Sequence, residues 1–122
     1  MLQIFASISA ALSVILGAFG AHILAKTLSN SLLTTFETAT SYMLLHSISI
    51  LIIYLLNKTK TIQTLLPGYL FAIGIVLFSG SLLLYIATKL KVLMIITPFG
   101  GLSFILGWLS LAWICITNKN DL

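Results

Sequence analysis

The chain contains no arginine, and its only acids are Glu37 and Asp121. Charged residues make up 7% of the 122 positions and apolar ones 60%, whereas soluble domains carry about 25% charged and about 45–50% apolar residues. At a mean hydropathy of +1.19, too little polar side chain exists to cover a water-soluble globule. Disorder and a coiled coil fall with it, because both need far more charge. One cysteine, Cys115, forbids an intramolecular disulfide. Its place in an apolar run marks it as an inert, membrane-facing or packed thiol. The six lysines stand singly or in pairs at the edges of apolar runs, where side chains anchor to lipid headgroups. The net charge of +4 is therefore no basic stripe, and no nucleic-acid partner is expected.

What is present is hydrocarbon in long runs. Residues 1–25, 38–57, 61–88 and 92–118 carry no charge. A bilayer core is crossed by about 20 apolar residues of helix. Open sheet edges cannot sit in lipid, and a small barrel would alternate apolar with polar residues, which these runs do not. The fold class is an all-α integral membrane protein. Its four transmembrane helices form an antiparallel up-down bundle, one domain over 1–122 with helices at about 2–24, 31–56, 64–87 and 98–117. Ala18-Phe19-Gly20-Ala21 looks like a signal cleavage site. The start, however, lacks a basic residue and the run is long, so an uncleaved first helix is expected.

Local signals set the boundaries. In helix 1, Ser9, Ser13, Gly17 and Ala21 recur every four residues, a small-residue ladder that lets another backbone approach. Ser29, Asn30 and Ser31 offer N-cap oxygens to helix 2. Pro67 falls in the first turn of helix 3, where a missing N–H is harmless. For helix 4, Thr97 is expected as N-cap and Pro98 as first helical residue, with Val92–Ile96 a membrane-dipping connection. Gly100, Ser103, Gly107 and Ser110 share a face of that helix, with Trp108 and Trp113 as packing or interface residues. Gly80 is read as a packing glycine of helix 3. Four spans leave both termini on one side. Lys58, Lys60 and Lys119 fall on that side and Lys26, Lys89 and Lys91 on the other, so charge assigns no orientation.

Polar groups inside lipid are expensive and mark places to interrogate. His22 and Glu37 flank the first loop, so a His–Glu clasp across the first hairpin is geometrically reasonable. His46 lies nine residues beyond Glu37, about 13 Å deeper and on the opposite helix face. Thr38, Tyr42, His46 and Ser49 form a polar stripe, with His46 bonded to Tyr42, a serine or a carbonyl of another helix. Ser81 and Tyr85 share a face with Gly74 that is expected to meet this stripe. His22, Glu37 and His46 resemble a zinc ligand set by type, but depth and face separate them and no H-E-x-x-H spacing exists. No metal site, cofactor motif, phosphate loop or nucleophile grouping is found.

Taken in order, several segments resemble a known family. They are Gly17-Ala18-Phe19-Gly20-Ala21-His22, Phe36-Glu37-Thr38-Ala39 with Tyr42 and His46, and Leu77-Phe78-Ser79-Gly80-Ser81-Leu82. Thr97-Pro98-Phe99-Gly100-Gly101, Ser103-Phe104 and Gly107-Trp108 follow. Together they resemble the small four-helix membrane proteins grouped as domain of unknown function 423. That family includes bacterial YgdD-like and YwdK-like proteins and a mitochondrial transmembrane relative in animals. The chain departs from it at Leu83, where the family usually has tyrosine; the nearest here is Tyr85. The resemblance implies four spans, bacterial inner-membrane placement and an intact N-terminus. It implies no activity.

The expected function is therefore a non-enzymatic accessory or structural membrane protein that packs with itself, lipids or partner proteins. The alternative is a small oligomeric transporter, channel or proton-linked binding protein using His46, Tyr42, Glu37 and His22. A membrane enzyme stands third, for want of a nucleophile or metal set.

Overall fold

The computed structural model describes residues 1–118, the side chain of Ala21 excepted. Four helices are long and apolar enough to cross a membrane: α1 (Leu2–Leu24), α2 (Asn30–Lys58), α3 (Leu66–Thr88) and α4 (Val92–Thr117). At about 1.5 Å per residue the 23 residues of α1 and of α3 span about 35 Å, enough for the hydrocarbon core of about 30 Å. The 29 residues of α2 exceed it, so its ends reach the interfaces or the helix tilts.

The helix ends follow local chemistry. Ser29 is the N-cap of α2 and accepts from the Leu32 amide at 3.3 Å, satisfying one of the orphan first-turn donors. Pro67 lies in the first turn of α3. Lys89 closes α3 in the left-handed region, φ 60°, with its amide donating to the Tyr85 carbonyl at 2.8 Å. Lys60 adopts the same conformation, φ 59°, in the connection after α2.

Helix α4 begins at Val92 and Pro98 lies inside it, which corrects the expected start at Pro98 and the non-helical Val92–Ile96. The energetics explain the correction. A proline inside a helix costs about 3 kcal/mol, but each unpaired backbone group in lipid costs several kcal/mol. Five residues of irregular connection would expose more such groups than one proline does. Thr97 accordingly does not cap. Its hydroxyl lies 3.2 Å from the Leu93 carbonyl, one turn back, and 2.6 Å from the Ser81 hydroxyl across to α3.

Two helices are not α-helical throughout. Leu16–Gly20 in α1 and Ile75–Gly80 in α3 form π-helical turns. Such turns are rare and locally reset which side chains face a neighbour.

The packing inverts the soluble pattern. Large apolar side chains such as Ile4, Phe19, Leu55, Ile105 and Ile116 stand exposed, while Ser9, Ser13, Ser47, Ser79, Ser103 and His46 are buried. Leu2, Met43, Ile50, Ile53, Phe71, Ile75 and Phe104 fill the remaining core. Because lipid is as apolar as leucine, close backbone approach holds such helices together. Between α3 and α4 this approach is reciprocal. A Cβ on Gly74 would strike the Phe104 ring, and one on Gly107 would strike Phe71. At Gly100 it would meet the α3 backbone itself, at Leu77 and Phe78.

Gly17 and Gly80 do not share this role. A Cβ at Gly17 meets nothing within 4 Å, and one at Gly80 only its own helix, 3.9 Å from the Ile75 carbonyl oxygen. Steps of four residues drift about 40° each around a helix, so the ladder from Ser9 and Ser13 has left the seam by Gly17. Gly20 returns to it, against the ring of Phe36. The Ala21 side chain lies outside the described residues.

These contacts give opposite signs for two conservative substitutions. Gly100→Ala is expected to lower thermal stability in detergent by about 1–3 kcal/mol, the range for overpacking. Gly17→Ala is expected to leave stability unchanged or raise it by about 0.5–1 kcal/mol, since a glycine in open space only weakens a helix. Thermal melts of both variants followed by circular dichroism check the pair.

Candidate functional site

The chemistry-bearing interior centres on His46, which is 2% exposed. It projects from α2 into a box of rings from three helices. Its imidazole stacks on Phe104 of α4, centroids 3.6 Å apart and 11° between planes, and meets Phe71 of α3 edge-on at 5.1 Å. Tyr42, one turn earlier, lies 5.9 Å from His46 and 4.9 Å from Phe78.

Both ring nitrogens are bonded. Nδ1 lies 2.8 Å from the Tyr42 carbonyl oxygen, and the Trp108 indole N–H donates to Nε2 at 3.1 Å. A carbonyl only accepts and an indole N–H only donates. The hydrogen therefore sits on Nδ1, and Nε2 carries the lone pair. This neutral tautomer is the only form that satisfies both partners, because an imidazolium would turn N–H against N–H at Trp108. The expected partners of His46 were Tyr42, a serine or a carbonyl of another helix. The structure uses the carbonyl of Tyr42 on the same helix, and the bond that crosses to another helix comes from Trp108. The sequence held a signal for this partner. A buried imidazole needs one donor and one acceptor, and Trp108, unlike Trp113, lies well inside its span.

Hydroxyl clasps join the other helix pairs. Between α1 and α2, Ser9 and Ser47 are 2.6 Å apart, and Ser13 donates to the Thr40 carbonyl at 2.6 Å. Between α3 and α4, Ser81 and Thr97 are 2.6 Å apart, and Ser103 donates to the Leu70 carbonyl at 2.7 Å. Most of these hydroxyls also reach a carbonyl of their own helix: Ser47 that of Met43, Ser81 that of Phe78, Thr97 that of Leu93. Ser79 is the exception. It is fully buried in the π-helical turn of α3, and its hydroxyl has no hydrogen-bond partner.

The remaining sequence candidates are dispersed. His22 and Glu37 are both exposed, and among the described residues no hydrogen bond or ion pair joins them. The face carrying Gly74 and Ser81 packs on α4, through Phe104 and Thr97, while Tyr42 of the α2 stripe meets α3 at Phe78. Tyr85 is half-buried, its ring 6.0 Å from the Lys89 ammonium, and Thr38 is half-buried. Ser49 bonds back to the Leu45 carbonyl at 2.9 Å. Cys115 is exposed. Among the described residues no group of three or more His, Cys, Asp or Glu is placed to hold a metal ion.

Comparison with known proteins gives a consistent result. The model of a family described as "Protein of unknown function (DUF423)" matches residues 16–101. That span holds His46, Phe71 and Phe78 and ends before Phe104 and Trp108. The chain is 42% identical over 108 residues to a UPF0382 membrane protein of Staphylococcus aureus and to one of Staphylococcus epidermidis, covering 88% of each chain. A UPF0382 membrane protein of Staphylococcus saprophyticus is 41% identical over 88% of this chain and 90% of its own. No solved structure matches the chain at a significant level.

Two outcomes follow from the site geometry. Trp108→Phe keeps the ring but leaves Nε2 without a donor. It is expected to lower stability by about 0.6–1.7 kcal/mol, the range of interhelical hydrogen bonds in membranes, and to shift the His46 Nε2 NMR signal, which loses its donor, while Nδ1 keeps its hydrogen on the Tyr42 carbonyl. Ser79→Ala removes a hydroxyl that bonds to nothing and is expected to be neutral or stabilising. Ser47→Ala, which breaks a clasp, is expected to destabilise in the same denaturation assay.

Proposed function

This chain belongs to the DUF423 family of UPF0382 membrane proteins, and we propose that it acts as a non-enzymatic accessory protein of the membrane. In this reading the compact four-helix bundle works through what packs on its outside, whether lipid, another copy or a partner protein. The observation that carries it is the use of the interior polar groups. His46, Ser9, Ser13, Ser81 and Ser103 all spend their hydrogen bonds on holding helices to one another or to their own backbone. A hydroxyl committed to a carbonyl does not offer its proton onward. An imidazole bonded at both nitrogens has no lone pair free for a ligand.

The reading extends to placement. The antiparallel up-down order is supported by contact register: Ser9 meets Ser47 while Ser13 meets Thr40, and Gly74 meets Phe104 while Gly107 meets Phe71. In each pair of helices one partner's numbers rise as the other's fall. The bacterial cytoplasmic membrane, with both termini on one face, completes the proposal.

Reconstitution separates this reading from transport. Liposomes carrying the wild-type protein are expected to leak protons and small ions no faster than empty ones, and His46→Gln and Glu37→Gln should change nothing. Crosslinking in native membranes should give discrete adducts, which substitutions at exposed positions such as Ile105→Trp and Leu109→Trp disturb while the fold is kept. Specific flux abolished by His46→Gln or Glu37→Gln overturns the proposal, as does the absence of any discrete adduct in native membranes.

A further inference from the structure

Helix α1 touches α3 only along Leu66–Gly74; from Ile75 to Thr88 the two make no close backbone contact. The wedge that opens between them is a groove of about 560 Å³, open on one side. Ile8 and Leu12 of α1 form one wall, Leu84 of α3 with Leu93 and Ile96 of α4 the other, and Met43 of α2 lies at its floor. Ser9 and Ser81 also reach it, but their hydroxyls are taken up by Ser47 and Thr97. The groove is therefore hydrocarbon-lined although polar side chains stand behind it. A methylene is about the size of a water molecule, whose share of liquid volume is about 30 Å³, so the space admits a stretch of acyl chain.

Two lysines follow the end of the groove in sequence; neither lines it, and the Lys89 ammonium lies 6.0 Å over the Tyr85 ring, one residue beyond the lining Leu84. Leu93 lines the groove two residues after Lys91, and Leu84 lies five residues before Lys89, about 7.5 Å of helix. Lys89 holds the left-handed conformation that closes α3, at a steric cost that glycine, the usual residue there, would not incur. The one acid of the described residues, Glu37, stands on α2, which gives the groove only Met43. A hydrocarbon slot with two long, flexible lysines within a few residues of its last lining positions is complementary to an amphiphile with a long chain and a negative head. We propose that the α1–α3 groove binds one acyl chain of an anionic phospholipid, with Lys89 and Lys91 on its phosphate. The inference rests on the chain's being embedded in a bilayer and not on its accessory role.

The groove alone confers no preference, because hydrocarbon solvates it equally from any lipid. Discrimination comes from the lysines, at roughly fivefold for each cation near an anionic headgroup. Native mass spectrometry of the purified protein, with phosphatidylglycerol and phosphatidylcholine offered in equal amounts, reads that preference directly. Wild type is expected to retain one phosphatidylglycerol in marked excess. The double substitution Lys89→Gln with Lys91→Gln should abolish the excess, while Lys58→Gln with Lys60→Gln, at the α2–α3 connection, should keep it.

Location is read in vesicles containing phosphatidylglycerol with a photoactivatable acyl chain. Adducts should concentrate on Ile8, Leu12, Leu84 and Ile96 over the lipid-facing Ile105 and Leu109, and Ile8→Trp, which fills the slot from α1, should remove them. Equal retention of the two lipids, or adducts spread evenly over lipid-facing positions, overturns the proposal. So does a dimer whose interface shields the groove from label. Loss of the lipid preference with assembly unchanged refutes the groove and leaves the accessory reading standing.

Discussion

Hydrocarbon offers no hydrogen bonds, and the rest of this structure depends on that constraint. Each polar group carried into the bilayer must find its partner inside the protein. Among the described residues nine buried polar side chains, His46 and eight serines or threonines, share the interior with the apolar core, so pairing them decides the packing as much as apolar contact does. The solutions are economical. In the Ser9–Ser47 and Ser81–Thr97 pairs hydroxyl meets hydroxyl while one of the two bonds back to its own helix, and Ser13 and Ser103 donate straight to the neighbouring backbone, so each contact both satisfies a hydroxyl and fixes the register of two helices. Interhelical bonds of this kind contribute modestly, about 0.6 kcal/mol on average in membranes. Their larger effect is on specificity, since a slip of one residue would leave several groups unpaired at once.

Glycine supplies what the hydrogen bonds require, which is short distance. A serine hydroxyl reaches only the neighbouring backbone, so Ser103 can bond Leu70 only if α3 and α4 lie close. Gly100, Gly74 and Gly107 permit that approach. The interlock of Gly74 with Phe104 and of Gly107 with Phe71 then places both phenyl rings against His46. The aromatic box is thus a consequence of the α3–α4 seam, and the histidine of α2 is held by the same contacts that hold those helices together.

Much of this was legible in the sequence, for identifiable reasons. Span number followed from charge-free runs, because bilayer thickness sets a length that needs no tertiary information. Ser29, Pro67 and the small face of α4 were readable because capping and helical periodicity are local. The start of α4 was misread because Thr97-Pro98 is a strong local signal in water, and lipid reverses the balance by penalising an unpaired backbone more than a proline. Gly17 was misread because four-residue spacing tracks a seam for only two steps before helical drift carries it away. The pairing of His22 with Glu37 assumed that similar depth means contact, whereas depth leaves the rotation of each helix open. Trp108 was passed over as a packing or interface residue because its partner lies 62 positions earlier.

The same constraint narrows what the interior can do. A relay across the bilayer needs groups that exchange roles, donating in one moment and accepting in the next. Here the α1–α2 and α3–α4 clasps are separate, Ser13 and Ser103 donate to carbonyls, the Ser9–Ser47 and Ser81–Thr97 pairs stand isolated from one another, and His46 is locked between an obligate acceptor and an obligate donor. Reversing the His46 bonds would set N–H against N–H at Trp108; the Ser9–Ser47 and Ser81–Thr97 bonds can reverse, but each such pair is bounded by carbonyls of its own two helices. An interior bound so fully to its own architecture moves the scope for recognition outward. On the outside, hydrocarbon faces hydrocarbon and selectivity must come from shape and from the charged rims. In the proposed lipid site the α1–α3 wedge supplies the place and Lys89 and Lys91, on the connection that follows α3, supply the selectivity.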